Sequence, residues 1–442
     1  MNKRIYKKWI WLALLIALVF VGIQFINPAI ENPPVTSEIM LPAAVKKILQ
    51  ANCYDCHSNE TKLSWFDKIT PANWLVAEHI RKGRAAMNFS TWGNLPTDRQ
   101  HALLFESLNL AQYKIMPLNA YRLVHGSANF NAAAVDTLKS YLAMLTISQV
   151  YDSSKIRRAD QQYANWINGI GKNTEVKPSP NGIPYMPVYK DWVAISTTDR
   201  TDNGTMRVIA GNNITINAIK EKHTNPWPDG SAFAKILWAQ SMDSSGEINS
   251  GEFIQVDFMI KDKNKYGSTK GWGYARWLKG TQLIPYGTNV MFSTECANCH
   301  RSMKNVDYIF TEPVQIPVNP GHEDKVINSS INKKSGTMAT LYGNEIAVRF
   351  ARKHTGSDYP AGSILTLVTW QQKEDAHWFG GQIPGDIHSI EKVKFNNTGN
   401  LRSSPYYEKY AGMPLKKIQD SNLYDEKERL AYIVGKRASV MP

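Results

Sequence analysis

The chain has 442 residues, enough for two to four domains, and its 43% hydrophobic content with 13 Trp excludes an intrinsically disordered protein. Its formal net charge of +13 suits an acidic partner, such as an acidic redox protein or anionic lipid headgroups; the alternative is a basic surface without a specific partner. Nucleic acid is not favoured, because no basic cluster with interleaved aromatic residues occurs along the chain.

Residues 1–30 predict a membrane anchor. An uncharged run of 18 residues extends from Trp9 to Ile26 and would form a helix of about 27 Å, close to the ~30 Å of a bilayer core. Four basic residues precede it, at Lys3, Arg4, Lys7 and Lys8. Such residues keep the amino terminus in the cytoplasm, so we expect a single-pass inner-membrane protein with its domains in the periplasm. The alternative is a cleaved signal peptide, which would leave a soluble periplasmic protein.

Residues 38–148 predict a small α-helical domain with a haem-attachment motif. Apolar residues recur at helical spacing before the motif and near the end of the domain, among them Val45, Ile48, Leu49, Leu138 and Leu142. The motif itself reads CYDCH, from Cys53 through Cys56 to His57. Cys-x-x-Cys-His is the attachment pattern of a c-type haem, in which both thiols bond to the haem and the histidine binds the iron.

The second axial ligand of this haem is predicted to be Met116, in the loop before the last helix of the domain. A thioether there gives a six-coordinate, low-spin iron that is suited to electron transfer. His79 is the alternative ligand.

This region resembles the haem-binding domain found at the front of larger bacterial cytochromes. The resemblance lies in CYDCHSNET, PANWLVAEHIRKGRAAMNFSTW and MPLNAYRLVH. It implies His57 and Met116 as axial ligands and a role in electron transfer.

A linker, residues 149–187, separates this domain from a β-rich segment at 188–317. The linker contains KPSPNGIPYMP, which is typical of a connector. Predicted strands follow at Met206–Ile209, Ala232–Trp238, Phe253–Ile260 and Gly273–Trp277, with one helix near Ile214–Lys222.

The β-rich segment ends with a second haem motif, CANCH, from Cys296 through Cys299 to His300. The chain has four cysteines, and the two motifs use all of them. A zinc site needs four ligands at closer spacing, and a redox dithiol does not explain a histidine after each pair. The sequence therefore predicts two covalently attached c-type haems.

Lys235 is an anomaly in the predicted strand SAFAKILW. Period-two alternation places it on one face with Phe233 and Leu237, while Ile236 and Trp238 share the other face. If this lysine is buried, its pKa falls and the neutral amine becomes a nucleophile. The alternative is an edge lysine whose amine reaches water.

The β-rich segment resembles the cytochrome P-460 family. The matching residues are WVAISTTDRTDNGTMRVIAGN, PWPDGSAFAKILW, VDFMIKD, GWGYARW and CANCHRSMKNVDYIFT. The resemblance implies a β-sheet fold and a five-coordinate haem with His300 as the proximal ligand, whose open face oxidises hydroxylamine or binds nitric oxide. It also implies Lys235 as a residue bonded to the haem edge, Arg207 as a distal arginine and Asp262 as a proton acceptor.

Residues 318–442 contain a degenerate repeat of the β-rich segment. Gly204, Gly211, Pro228, Gly230 and Trp238 recur at a constant offset of 132 residues, which indicates internal duplication. The repeat has no cysteine, and Leu367 and Ala339 stand where the first copy has Lys235 and Arg207. We expect a haemless β-domain that packs on its neighbour, so a chain ending near Thr311 should keep both haems.

The sequence therefore predicts a multidomain protein with a transmembrane helix, an all-α cytochrome c-like domain, a β-rich α+β cytochrome P-460-like domain and a haemless pseudo-repeat. The expected function is oxidation of a small nitrogen compound, with hydroxylamine first, at the haem of His300. Electrons would pass through the haem of His57 and Met116 to a cytochrome or membrane acceptor. The alternatives are a nitric oxide-binding cytochrome without turnover and a plain electron-transfer protein. The sequence indicates no oligomeric state.

Overall fold

The computed structural model describes residues 3–442 except 27, 127, 129, 147, 170–174, 281, 291, 315–324, 355, 397–404 and 419–422. The chain divides into two compact units between Leu145 and Thr146. The predicted segments 188–317 and 318–442 both belong to the second unit. The boundary predicted between them, at residues 317 and 318, lies outside the described residues.

The first unit is helical. Its helices are α1 (Lys3–Ile23), α2 (Ala43–Asn52), α3 (Tyr54–His57), α4 (Ala72–Ala86), α5 (Thr97–Gln112), α6 (Asn119–Val124) and α7 (Ala132–Ala143). The first cysteine motif occupies α3 and the residue before it, and α3 packs against α2 and α4. Gly83 permits the contact with α4, because a Cβ there would lie 2.4 Å from the carbonyl oxygen of Cys56. The predicted helical character of the region around the motif is confirmed.

The predicted transmembrane helix is wrong. Among the residues with described coordinates, no helix combines the length and the apolar character that a membrane span requires. The physical reason lies in the ends of α1: its last residue is Ile23, and its uncharged part begins only at Trp9. Those residues rise about 22 Å along the helix axis, less than the ~30 Å of a bilayer core. The predicted single-pass inner-membrane location is wrong for the same reason.

The second unit is built mainly from β-strands. Its first part contains α8 (Ser153–Ile167), β1 (Val193–Arg200), β2 (Thr205–Gly211), α9 (Asn213–Lys220), β3 (Ala232–Met242), β4 (Ile248–Lys261), β5 (Trp272–Leu278), β6 (Ile284–Pro285) and α10 (Phe292–His300). Its second part contains β7 (Lys325–Asn332), β8 (Thr337–Gly343), α11 (Glu345–Ala351), β9 (Ile364–Glu374), β10 (Gly381–Phe395), β11 (Pro405–Ala411), β12 (Lys416–Ile418) and α12 (Leu423–Val434). The four predicted strands lie in β2 to β5, and the predicted helix is α9.

The two parts of this unit have the same architecture. Strands β7 to β11 and helix α11 begin 132 or 133 residues after β1 to β5 and α9, in the same order. Local detail repeats as well: Asn212 and Asn344 accept hydrogen bonds from the first turns of α9 and α11. Their side-chain amides donate to the carbonyl oxygens of Gly230 and Gly362, each at 2.8 Å. The fold therefore contains the duplication that the sequence predicts.

Both repeats contribute to one closed circuit of antiparallel strands. The order is β1, β2, β3, β4, β7, β8, β9, β10, and β10 then pairs with β1. Strands β5 and β11 pair with β4 and β10 outside this circuit. The core combines Ile236 and Trp238 of β3 with Val368 and Trp370 of β9. The repeats are thus two halves of one folded unit, where the sequence suggests two domains in contact.

This shared core makes a specific prediction about truncation. A chain that ends at Thr311 loses the strands that pair with β1 and β4, exposes half of the core and removes the carbonyl of Val440 that accepts from Trp238 Nε1 at 2.8 Å. We therefore expect residues 146–311 to lose cooperative folding, as monitored by circular dichroism during heating. A chain of residues 1–145, which is a separate compact unit, is the control and should keep its helical signal. A sharp β-sheet unfolding transition in the chain that ends at Thr311 would contradict the prediction.

Candidate functional site

The second cysteine motif lies on α10, with Cys296 and Cys299 one helical turn apart and His300 as the last helical residue. The ring nitrogen Nδ1 of His300 lies 2.7 Å from the carbonyl oxygen of Tyr308. Because a carbonyl only accepts, Nδ1 carries the proton and Nε2 keeps its lone pair. A histidine that ligates a metal is usually oriented by such a bond from its other nitrogen. His300 therefore has the tautomer that an iron ligand needs.

Two aromatic rings lie close to the imidazole of His300. The centroid of the Tyr274 ring lies 5.2 Å from that of His300, and Phe310 contacts it edge-on at 5.1 Å. Burial lowers the pKa of His300 to about 4, although the bond to Tyr308 opposes the shift. The imidazole is therefore neutral at pH 7, which is the protonation state that binds metals.

Three charged side chains form a row across the sheet. Lys235 of β3 lies directly opposite Asp257 of β4, which lies directly opposite Arg276 of β5. Lys235 Nζ is 2.6 Å from one Asp257 carboxylate oxygen, and Arg276 Nε is 2.9 Å from the other. Ile236 and Trp238 alternate with Lys235 and point into the shared core, so the row occupies the opposite face of the sheet.

The motif lies close to this row. Burial raises the pKa of the Cys296 thiol, and the charges of all three row residues act on it as well. The same three charges act on His300. On this face of the sheet a small apolar cluster that includes Phe233 packs against Cys296. The fold therefore brings Lys235, one of the predicted site residues, to the same site as the predicted proximal histidine.

The two cations of the row determine the acidity of Asp257. Burial alone would raise its pKa, but the charges of Lys235 and Arg276 outweigh burial and lower it to about 2. Lys235 responds in the opposite way: burial lowers its pKa, although Asp257 partly offsets the shift. Its side chain is 31% exposed, so the amine sits at the wall of the site and not deep in the core.

Two buried polar atoms of the site have no hydrogen-bond partner among the described residues: Arg207 Nε and the Tyr274 hydroxyl. Arg207 lies on β2, two residues before the position that pairs with Lys235, so it shares the face of the row. Burial, followed by the charge of Arg200, lowers its pKa to about 9. Unpartnered buried groups are rare in folded proteins. Together with the His300 tautomer and the paired thiols, they fit a large polar-edged group such as a haem.

The structure places Asp262 elsewhere. Its carboxylate accepts hydrogen bonds from the backbone N–H groups of Asn264 and Lys265 at 3.0 and 2.9 Å, and so caps its own turn. The carboxylate beside Lys235 belongs to Asp257, which the sequence reasoning missed together with Arg276. Both lie in the family segments VDFMIKD and GWGYARW. The signal that could have identified them is the strand register, which places Asp257 opposite Lys235 and Arg276 opposite Asp257.

The first motif is also arranged for a haem. The ring nitrogen Nδ1 of His57 lies 3.3 Å from the carbonyl oxygen of Met87, so Nε2 is again the atom left for a metal. Burial lowers the pKa of His57, although its backbone hydrogen bonds oppose the shift. Burial raises the pKa of Cys53 to about 12 and that of Cys56 to about 11. None of the four cysteines is in a disulfide bond.

The two candidates for the second ligand of the first haem, Met116 and His79, lie on different parts of the first unit. Met116 is half-buried between α5 and α6, and its backbone N–H donates to the carbonyl of Leu110 at 3.3 Å. His79 is half-buried on α4, and burial lowers its pKa. Both assignments remain predictions.

The Asp257 ion pairs predict a specific acid sensitivity. The folded pKa of about 2 lies below the ordinary value of 3.8. The resulting stabilisation, on the order of 2 kcal/mol, is complete above about pH 4 and is lost as the pH falls towards 2. The free energy of unfolding, measured with urea, should therefore differ between the parent protein and Asp257→Asn by an amount that shrinks over this interval. A difference that stays constant from pH 6 to pH 2 would contradict the low pKa.

Both cysteine motifs lie in segments that match known families. Residues 18–144 match the model of a haem-binding domain, and residues 186–311 match that of Cytochrome P460. No curated protein matches the chain. The two resemblances that the sequence predicts, and their order along the chain, are confirmed. The chain therefore contains a haem-binding domain followed by a Cytochrome P460 domain, and these two matches support a haem cytochrome.

Proposed function

We propose that the chain carries two covalent c-type haems, on Cys53, Cys56 and His57 and on Cys296, Cys299 and His300, and that the second one binds nitric oxide or a similar small nitrogen compound. The haem would supply an iron that binds the ligand and exchanges electrons. The observation that carries the proposal is the charged row of Lys235, Asp257 and Arg276 beside the second motif.

The row suits ligand binding better than proton removal. Asp257 has two cationic partners and a pKa of about 2, and a carboxylate of that acidity is a poor base at neutral pH. Arg207 has an N–H without a partner, and Arg276 and Lys235 are further donors. Cationic donors of this kind form strong hydrogen bonds to a ligand oxygen that carries partial negative charge. These features favour a nitric oxide-binding cytochrome without turnover.

Hydroxylamine oxidation is the second candidate, and the 2.6 Å contact between Lys235 and Asp257 supports it. Suppose that Lys235 Nζ bonds to a carbon of the haem edge. That bond replaces one N–H and one C–H, and the two protons and two electrons released require an oxidant such as hydrogen peroxide. The nitrogen then ceases to be an ammonium, and Asp257 keeps Arg276 as its only cationic partner in the row. Its pKa must rise, which makes Asp257, and not Asp262, the residue that accepts protons from substrate.

The first domain would act as the electron relay. His57 and Met116 would hold the iron of that haem, and an iron with two protein ligands would suit electron exchange with a redox partner better than substrate binding. The +13 formal charge of the chain favours an acidic partner protein.

Replacement of Met116 tests the relay. Met116→Ala should convert the first haem from low to high spin, because the iron loses its sixth ligand, and absorption spectroscopy detects the change. His79→Ala is the matched control and should keep the low-spin spectrum. Mass spectrometry of both denatured variants should still find two haems bonded to the chain. A low-spin spectrum that survives Met116→Ala and disappears in His79→Ala would assign the ligand to His79.

Separate assays distinguish binding from turnover. Protein in which peptide mapping finds Lys235 unmodified should bind nitric oxide reversibly, and hydroxylamine should not reduce its first haem. If mapping finds Lys235 bonded to haem, hydroxylamine should reduce it, and Asp257→Asn should slow the reduction by about 100-fold or more. Asp262→Asn is the control and should leave the rate unchanged. Rapid reduction by hydroxylamine with an unmodified Lys235 would contradict the link between the two residues, and failure to bind nitric oxide would contradict the binding function.

A further inference from the structure

A buried ion pair lies next to the turn whose carbonyl accepts the hydrogen bond from His300. Lys261 Nζ is 2.8 Å from each carboxylate oxygen of Asp307, and their side chains are only 3% and 9% exposed. The same carboxylate accepts from the backbone N–H of Trp227 at 2.9 Å and from Trp272 Nε1 at 3.4 Å. Lys261 also lies over the Trp272 ring, 4.7 Å from its centroid. The Asp307 carboxylate therefore accepts hydrogen bonds from three different residues.

The backbone at Asp307 is strained. Asp307 and the next residue, Tyr308, both have left-handed conformations, with φ of 48° and 69°. Two consecutive non-glycine residues in this region are unfavourable and need support from their surroundings. The turn is closed by Tyr308 N, which donates to the carbonyl of Met303 at 2.8 Å. The carbonyl of Tyr308, on the far side of this turn, is the one that accepts from His300 Nδ1 at 2.7 Å.

The haemless repeat, which has no cysteine motif, has a different residue at the position equivalent to Lys261. Lys261 N donates to the carbonyl of Ser231, and Phe395 N donates equivalently to that of Ser363. Phe395 therefore occupies the position of Lys261, and it is buried in the core. A phenylalanine suffices for the fold at this position, and a buried ion pair is weak evidence for stability, since apolar replacements are often as stable. The lysine thus needs another explanation in the copy that carries the histidine.

We propose that the Lys261–Asp307 pair positions the proximal histidine. The pair fixes the strained turn, the turn fixes the Tyr308 carbonyl, and the carbonyl orients His300 and raises the basicity of its Nε2. Lys261 and Asp307 are accordingly positioning residues that act through Tyr308. The inference rests on the proposed haem at Cys296, Cys299 and His300.

The test uses the full chain with its haems and two variants, Asp307→Asn and Lys261→Met. Each weakens support for the turn, so the hydrogen bond to His300 weakens and the imidazole donates less charge to the iron. The iron–histidine stretching frequency of the ferrous protein, from resonance Raman spectroscopy, should fall. The reduction potential of the second haem should rise, because a weaker donor stabilises the ferric state less. The spectrum and potential of the first haem should not change.

Arg429→Met is the matched control. Arg429 Nη2 lies 2.6 Å from the buried carboxylate of Glu391 in the haemless repeat, so its loss breaks a comparable ion pair away from the motif. We expect it to lower the unfolding temperature and to leave the stretching frequency and potential of the second haem unchanged. If Asp307→Asn and Lys261→Met lower the unfolding temperature but also leave both haem signals unchanged, the pair is only structural and the inference is wrong. Absence of haem from the Cys296–Cys299 peptide of the parent protein would instead overturn the proposed function.

Discussion

The second unit depends on the pairing of strands between its two repeats. Strand β4 pairs with β7 and β10 pairs with β1, so neither repeat closes the circuit alone. The apolar core inside this circuit takes equivalent tryptophans, Trp238 and Trp370, from both halves. Burial of such side chains is the main favourable term in folding. The repeats therefore share the tryptophan on the inner face, while the residues on the opposite face differ between them, as at Lys235 and Leu367.

The outer faces have diverged in charge. In the first repeat, Lys235 faces Asp257 across β3 and β4, and α10 with the cysteine motif follows β5 and β6. In the second repeat, Leu367 faces Glu391 across the equivalent strands, and α12 follows β11 and β12. A carboxylate is present in both repeats, as Asp257 in the first and Glu391 in the second. In the second repeat, however, Arg429 of α12 binds it, at 2.9 and 2.6 Å. One scaffold thus presents a site in one half and a buried carboxylate in a charge-balanced ion pair in the other.

Sequence alone identified what depends on local pattern. The two motifs, the helical first domain, the duplication and the face of Lys235 all follow from short spacings or period-two alternation. It did not identify Asp257 as the partner of Lys235, because the choice between Asp257 and Asp262 depends on cross-strand register. It did not reveal the shared core, which depends on pairings between residues far apart in the chain. It also took the apolar run to Ile26 as one helix, whereas α1 ends at Ile23.

The charges at the second motif connect the alternative functions. Lys235 and Arg276 share one carboxylate, so the row carries an excess positive charge, and Arg207 adds to it. This excess suits a ligand oxygen with partial negative charge and keeps Asp257 ionised. Loss of the charge on Lys235 alone would bring the row to balance, as Glu391 and Arg429 are in the other repeat. On the proposed function, the chemical state of one nitrogen, Lys235 Nζ, would decide whether the row binds a ligand or Asp257 takes protons from it.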